Sequence, residues 1–169
     1  MSRSLLDDAF GHHVWATVRL IDECLKLNPL QLETTVIGAY GSIIETARHL
    51  VGADSWYLLH MTGGALPPID QEHMDLRELR AAMERDGVAW SRLLEGDLDP
   101  DSIVVTRRDD GSERRDPIGN RLAQALHHGC EHRSQICTAL STLGIEPPSI
   151  ALGDFSEAAG RSEDVPPPS

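Results

Sequence analysis

Cysteine is scarce in this chain: Cys24, Cys130 and Cys137 are all it has. An odd number with no C-x-x-C pair excludes both a disulfide framework and a cysteine zinc site as organising devices. Long apolar runs are missing too. No stretch approaches the roughly 18 residues of a membrane span. Met1-Ser2-Arg3-Ser4 opens no signal-peptide core, so a soluble, cytoplasmic protein is expected. Positive charge is the third shortage. Lys and Arg number 15 against 27 Asp and Glu, a net charge of -12. Nucleic-acid binding needs a concentrated basic surface, and anionic lipid repels such a chain, so neither nucleic acid nor membrane is an expected partner. Phosphate-cradling and nucleophile motifs are also lacking: there is no Walker loop, no G-x-G-x-x-G after a strand and no G-x-S-x-G elbow. That leaves a small molecule as the expected partner.

What is present is adequate bulk and an excess of histidine. At 169 residues with 40% hydrophobic content, the chain is sized for one domain with a real core. Four stretches carry helical periodicity. The first runs from Leu5 to Leu27, with Phe10, His13, Thr17, Leu20 and Cys24 on one stripe, and Asn28-Pro29 stops it. The second spans Ser42 to Met61, Ser42 and Glu45 forming a capping box. The third spans Gln71 to Leu94, with Leu79, Met83, Asp86 and Trp90 on one side. The fourth starts at Asp116-Pro117, read as an N-cap followed by proline at the first helical position, and continues to Leu143. Before it, Ile103–Thr106 and Glu113–Arg115 flank an Asp110-Gly111 turn and read as a short hairpin. The expected architecture is all-α, a four-helix bundle over residues 1–146. A Pro-rich, acidic, irregular tail over 147–169 includes Pro166-Pro167-Pro168. Trp15, Trp56 and Trp90, one in each of the first three helices, are expected either in the core, the preferred place, or lining a cavity.

The 8 histidines sort by helical position. His128 and His132 are four residues apart, hence about 40° apart around the helix and stacked on the rim of its apolar arc. Two imidazoles so placed reach one metal ion. His49 lies on the flank of the apolar arc of the second helix, which in a bundle can face the fourth, so it completes a three-histidine site. His13 sits on the apolar stripe of the first helix, either as a hydrogen-bonded core residue or lining the same cavity. His60 shares a stripe with His49 and Trp56. His12, His73 and His127 read as surface residues.

Two charged residues fall on apolar arcs, Asp54 in the second helix and Arg133 in the fourth. Either they pair with each other or with a group in the cavity, or they snorkel to the surface. With Glu131 they are the candidate residues around the metal ligands. His128-Gly-Cys-Glu-His132 also matches H-x-x-E-H, the inverted zinc-peptidase signature, and Glu131 lies on the outer flank of His128, from which a base acts on a bound water. Such peptidases use a further acidic ligand well downstream, where this chain has only a Pro-rich tail, with Glu146, Glu157 and Glu163 near or in it. Cys130 points away from the histidine pair and reads as packing.

Three segments together carry a resemblance. They are His12-His13-Val14-Trp15-Ala16, Gly41-Ser42-Ile43-Ile44 leading to His49-Leu50, Ala53-Asp54 and Trp56, and His128-Gly-Cys-Glu-His-Arg-Ser-Gln-Ile136. This pattern resembles the DinB/YfiT-like superfamily of metal-dependent enzymes, over about residues 5–143. Ser134 stands where family members commonly have glycine. The resemblance implies a four-helix bundle of up-down-down-up order, often a homodimer. It also implies a divalent metal, zinc first and nickel second, held by His49, His128 and His132. Relatives include bacillithiol-using S-transferases and mycothiol-dependent isomerases, which implies a small thiol co-substrate activated at the metal, or a water in its place. The competing expectation is a non-catalytic metal-binding or stress-response protein, and the third a bundle whose histidines bind nothing.

Overall fold

Three helix starts are set by side chains that stand in for missing backbone partners. Asn28 with Gln31, Ser42 with Glu45 and Asp75 with Glu78 each form a reciprocal capping box. In the computed structural model, which describes residues 6–165, they open α2 (Pro29–Leu32), α3 (Ile43–Met61) and α4 (Leu76–Leu94). The remaining elements are α1 (Asp7–Cys24), β1 (Ile103–Arg107), β2 (Glu113–Pro117), α5 (Ile118–Thr142) and α6 (Leu152–Ala158). Leu5, the expected start of the first helix, and Pro166-Pro167-Pro168 lie outside the described residues.

Four boundaries differ from expectation, each for a local reason. Asn28 does not merely end the first helix; it caps a four-residue helix of its own. The third long helix starts at Leu76 rather than Gln71, because the Asp75 carboxylate accepts from the backbone N–H groups of Arg77 and Glu78. Asp116 is not the N-cap of the last long helix. It pairs with Val104 in the hairpin, its carboxylate held by Arg114 and Arg121, and Pro117 precedes the first helical residue. The segment expected to be irregular from Pro147 contains α6. Its Phe155 is buried over Gly11 and beside Trp15, His12 Nε2–H donates at 2.8 Å to the Ile150 carbonyl, and Arg161 pairs with Asp8 at 2.8 Å. A ring bond to a carbonyl must be a donation, so His12 is tied to this segment through its Nε2–H and is not the surface residue expected.

The hairpin is antiparallel, Ile103 opposite Pro117 and Arg107 opposite Glu113. Gly111 in its turn has φ +81°, a conformation L side chains rarely adopt, as the Asp110-Gly111 step predicted. Val104 and Thr106 turn inward, and the two strands lie against α3 and α5.

Among the long helices, α1 packs on α4 and α5, and α3 packs on the same two. Their apolar stripes form two clusters. One gathers Leu20, Val51, Met83 and Ile136, the other Phe10, Leu58, Trp90 and Ala125. Along α1 and α5 the second cluster comes first; along α3 and α4 the first does. Between the clusters, every long helix contributes buried polar groups: His13 and Thr17, Asp54 and Ser55, Asp86, and Arg133. Among the described residues no helix is long and apolar enough to cross a membrane.

Candidate metal centre

The polar layer has an open end where α3 meets α5. One turn of α5 separates His128 from His132, and the middle of α3 presents His49 to both. The Nε2 atoms of His49 and His128 are 3.0 Å apart, close enough to share one proton or one cation. One ring nitrogen from each of His49, His128 and His132 lies within 4.8 Å of the others. His132 is buried, and the other two are half-buried.

The orientation of His132 is fixed from behind. Its Nδ1–H donates to Gln135 Oε1 at 2.8 Å, which leaves the Nε2 lone pair free on the side of the other imidazoles. The same Gln135 oxygen accepts the backbone N–H of Tyr40 at 3.1 Å, and the Tyr40 ring stacks on His49 with centroids 3.9 Å apart and planes 6° apart. Sequence reasoning gave Gln135 and Tyr40 no role. The i,i+3 spacing from His132 was the available signal for Gln135; Tyr40 reaches the site only through tertiary folding.

Burial, then the neighbouring His132 and His49, push the His128 imidazole down to about 4. Burial first, and then His132, also lowers His49. Both rings are therefore neutral near pH 7 and offer lone pairs, as a metal site requires. Among the described residues, His128 Nδ1 is buried without a hydrogen-bond partner, as is Asp54 Oδ1. Three converging imidazole nitrogens fit a first-row divalent ion by donor chemistry.

Beneath them runs a fully buried relay. Arg133 Nη1 donates to His13 Nδ1 at 2.9 Å, and His13 Nε2 donates to Asp54 Oδ2 at 2.7 Å. A guanidinium has no acceptor, so the ring proton of His13 is on Nε2. Arg133 also donates to Thr17 Oγ1 at 3.2 Å, and Trp90 Nε1–H to Asp54 at 3.3 Å. Asp54 and Arg133 thus neither snorkel nor touch; His13 joins them. Gly129 makes the approach possible, since a Cβ there would collide with the His13 ring and the Arg133 guanidinium.

Other candidates stand apart. Glu131 is exposed and makes no hydrogen bond or ion pair with the described residues. His60 bonds the Trp56 carbonyl at 2.8 Å and lies against its ring at a tilt of 42°; His73 pairs with Asp70 on the surface; His127 and Cys130 are exposed. Trp56, expected in the core or lining a cavity, is 37% exposed and does the second. With Tyr57, Gly52 and the connector Pro68–Glu72 it lines a cleft of about 500 Å³ that ends at His49 and His128. The two larger clefts, each about 600 Å³, contain none of the three histidines.

The sequence model of the DinB family matches residues 1–165. The chain belongs to the DinB family. No curated protein matches it at a significant level. The DinB match takes in all three histidines, the Asp54–His13–Arg133 relay and the helix α6 that packs on α1.

Proposed function

We propose that this DinB-family chain is a metal-dependent enzyme, of transferase or hydrolase type. It activates a small thiol, or a water, beside a divalent ion held by His49, His128 and His132. The observation that carries this reading is the convergence of the three ring nitrogens within 4.8 Å at the end of a substrate-sized cleft. Zinc suits three imidazoles best, with nickel next. When bound, such an ion favours the deprotonated form of a thiol or water placed at its open position.

The chain's own residues do the rest. Gln135 holds the His132 ring, and Tyr40 holds the plane of His49. Buried Asp54, His13 and Arg133 keep the floor rigid. Trp56 and Tyr57 supply an apolar wall that limits water near His128 and leaves room for a substrate. An up-down-down-up helix order belongs to this reading and is supported by the order of the two apolar clusters along the helices. So do a cytoplasmic homodimer and a small-molecule partner, in keeping with a net charge of -12.

A storage or sensing role without turnover is the second reading, and the cleft at His49 and His128 argues against it, because sequestration needs no substrate-sized opening. The peptidase reading of H-x-x-E-H loses support from the exposed position of Glu131. The test has two steps. Protein purified without chelator and offered zinc or nickel should hold about one equivalent by elemental analysis, and His132→Ala well under that. Metal-loaded protein mixed with small thiols and a chromogenic electrophile should turn over faster than the triple histidine-to-alanine variant. Metal retention with equal rates would favour storage.

A further inference from the structure

One wall beside the site carries positive charge that the metal chemistry does not use. β2 brings Arg114, and the first turn of α5 brings Arg121, to a cleft of about 450 Å³ that Trp56 and Tyr57 also line. Those two aromatics also line the cleft that ends at His49 and His128, so the two clefts share a wall.

Both guanidiniums lean on one carboxylate. Arg114 Nε lies 2.9 and 3.1 Å from the Asp116 oxygens, and Arg121 Nη2 lies 2.7 Å from Oδ2. No other acid lines the cleft, so one positive charge is left over. Arg121 is 6% exposed, with its guanidinium 5.0 Å from the centroid of the Trp56 ring. Its Nη2 also donates to Thr106 Oγ1 at 2.8 Å, but its Nε is buried with no acceptor among the described residues. Arg121 Nη1 and the terminal nitrogens of Arg114 make no hydrogen bond to the described residues. Burying a guanidinium with donors unused is costly unless an acceptor arrives. The planar fork of arginine matches carboxylate and phosphate oxygens.

We propose that this cleft is an oxyanion subsite, taking the carboxylate or phosphate of a small acidic molecule whose other end reaches toward His49 and His128. What happens at that other end rests on the metal-enzyme reading; the anion site itself rests on Arg114 and Arg121.

The test is an NMR titration that follows the Nε–H of Arg121 and the indole N–H of Trp56. One arm uses sodium succinate, a second inorganic phosphate, and a third sodium chloride at equal ionic strength. Each is run on the protein as purified and on chelator-treated, desalted protein. Saturable shifts with succinate, phosphate or both, absent with chloride, are expected, and the pattern tells a carboxylate ligand from a phosphate one. Affinity should fall about threefold or more in Arg114→Gln and about tenfold or more in Arg121→Gln. Arg114 is exposed and, among the described residues, its side chain bonds only Asp116, so Arg114→Gln decides alone if Arg121→Gln does not fold. Shifts that do not saturate, that chloride reproduces, or that survive unchanged in the variants overturn the proposal. A chain that binds no metal can still pass this test, and one that binds metal can still fail it.

Discussion

His128 presents its Nε2 to the Nε2 of His49 at 3.0 Å, across the seam between α5 and α3. Neither histidine is placed by its own helix alone. The α3–α5 contact brings them together, and Gln135 aligns the third ring with them. Anything that occupies the three nitrogens therefore ties two helices together, and the fold should be sensitive to it.

Metal addition should raise thermal stability by mass action. At an ion concentration about 100 times Kd the native state gains about 2.7 kcal/mol. For a chain of this size that is a rise in Tm of roughly 5–10 °C. Differential scanning calorimetry of chelator-treated protein with and without zinc checks it. His132→Ala should show no comparable rise.

Gln135→Ala removes the acceptor of the His132 Nδ1–H and of the Tyr40 N–H together. Metal affinity should drop roughly 10- to 100-fold, as expected when the partner of a ligating imidazole is lost. Competition against a chromophoric chelator measures this. Gln135→Glu keeps the acceptor and should retain most of the affinity. An alanine variant that binds as tightly as the parent would show that Gln135 does not orient His132.

Asp54 and Arg133 should behave as one unit through His13. Each alanine variant alone leaves a buried charge without its counterpart and should cost about 3–5 kcal/mol by urea unfolding. Because the same relay is broken either way, the double variant should cost clearly less than the sum, with a coupling of about 0.5–3 kcal/mol. Strict additivity would mean that the relay is not a unit.

Asp86 gives a pH dependence. Burial raises its carboxyl above the ordinary range, against opposing hydrogen bonds from Ser55 and Arg85. The folded state therefore holds this proton more tightly than the unfolded chain does. The resulting contribution is fully present below the unfolded pKa of about 4 and is lost as pH rises through the folded value. Urea unfolding from pH 4 to 7 should show the stability of the parent, relative to Asp86→Asn, falling with pH. A difference that rises with pH would reverse the assignment.

Much of this was legible in the sequence where the signal is local. The Ser42–Glu45 capping box, the Asp110-Gly111 turn and the i,i+4 spacing of His128 and His132 each depend on neighbours in the chain, and each appears as read. The misreadings share a cause, which is competition from a partner distant in sequence or a stronger local cap. Asp116-Pro117 has the composition of a helix start, yet strand pairing with Val104 and the guanidinium of Arg121 claim the aspartate. Helical periodicity runs back to Gln71, but the Asp75 side chain captures the first turn. Within the Pro-rich end, one aromatic, Phe155, finds the surface left bare by Gly11 and orders a helix there. The relay shows the same limit: the arcs marked Asp54 and Arg133 as misplaced charges, and only the packing of α1 between them showed that His13 is the link.

X-ray absorption at the metal edge of zinc-loaded protein, with stoichiometry measured on the same sample, decides whether three imidazoles hold one divalent ion. About one zinc per chain is expected, with three histidine nitrogens at about 2.0–2.1 Å and a light-atom ligand in the remaining position. Sulfur scattering at about 2.3 Å from a cysteine of the chain, or a histidine count unchanged in the His49→Ala, His128→Ala and His132→Ala variants, would contradict it.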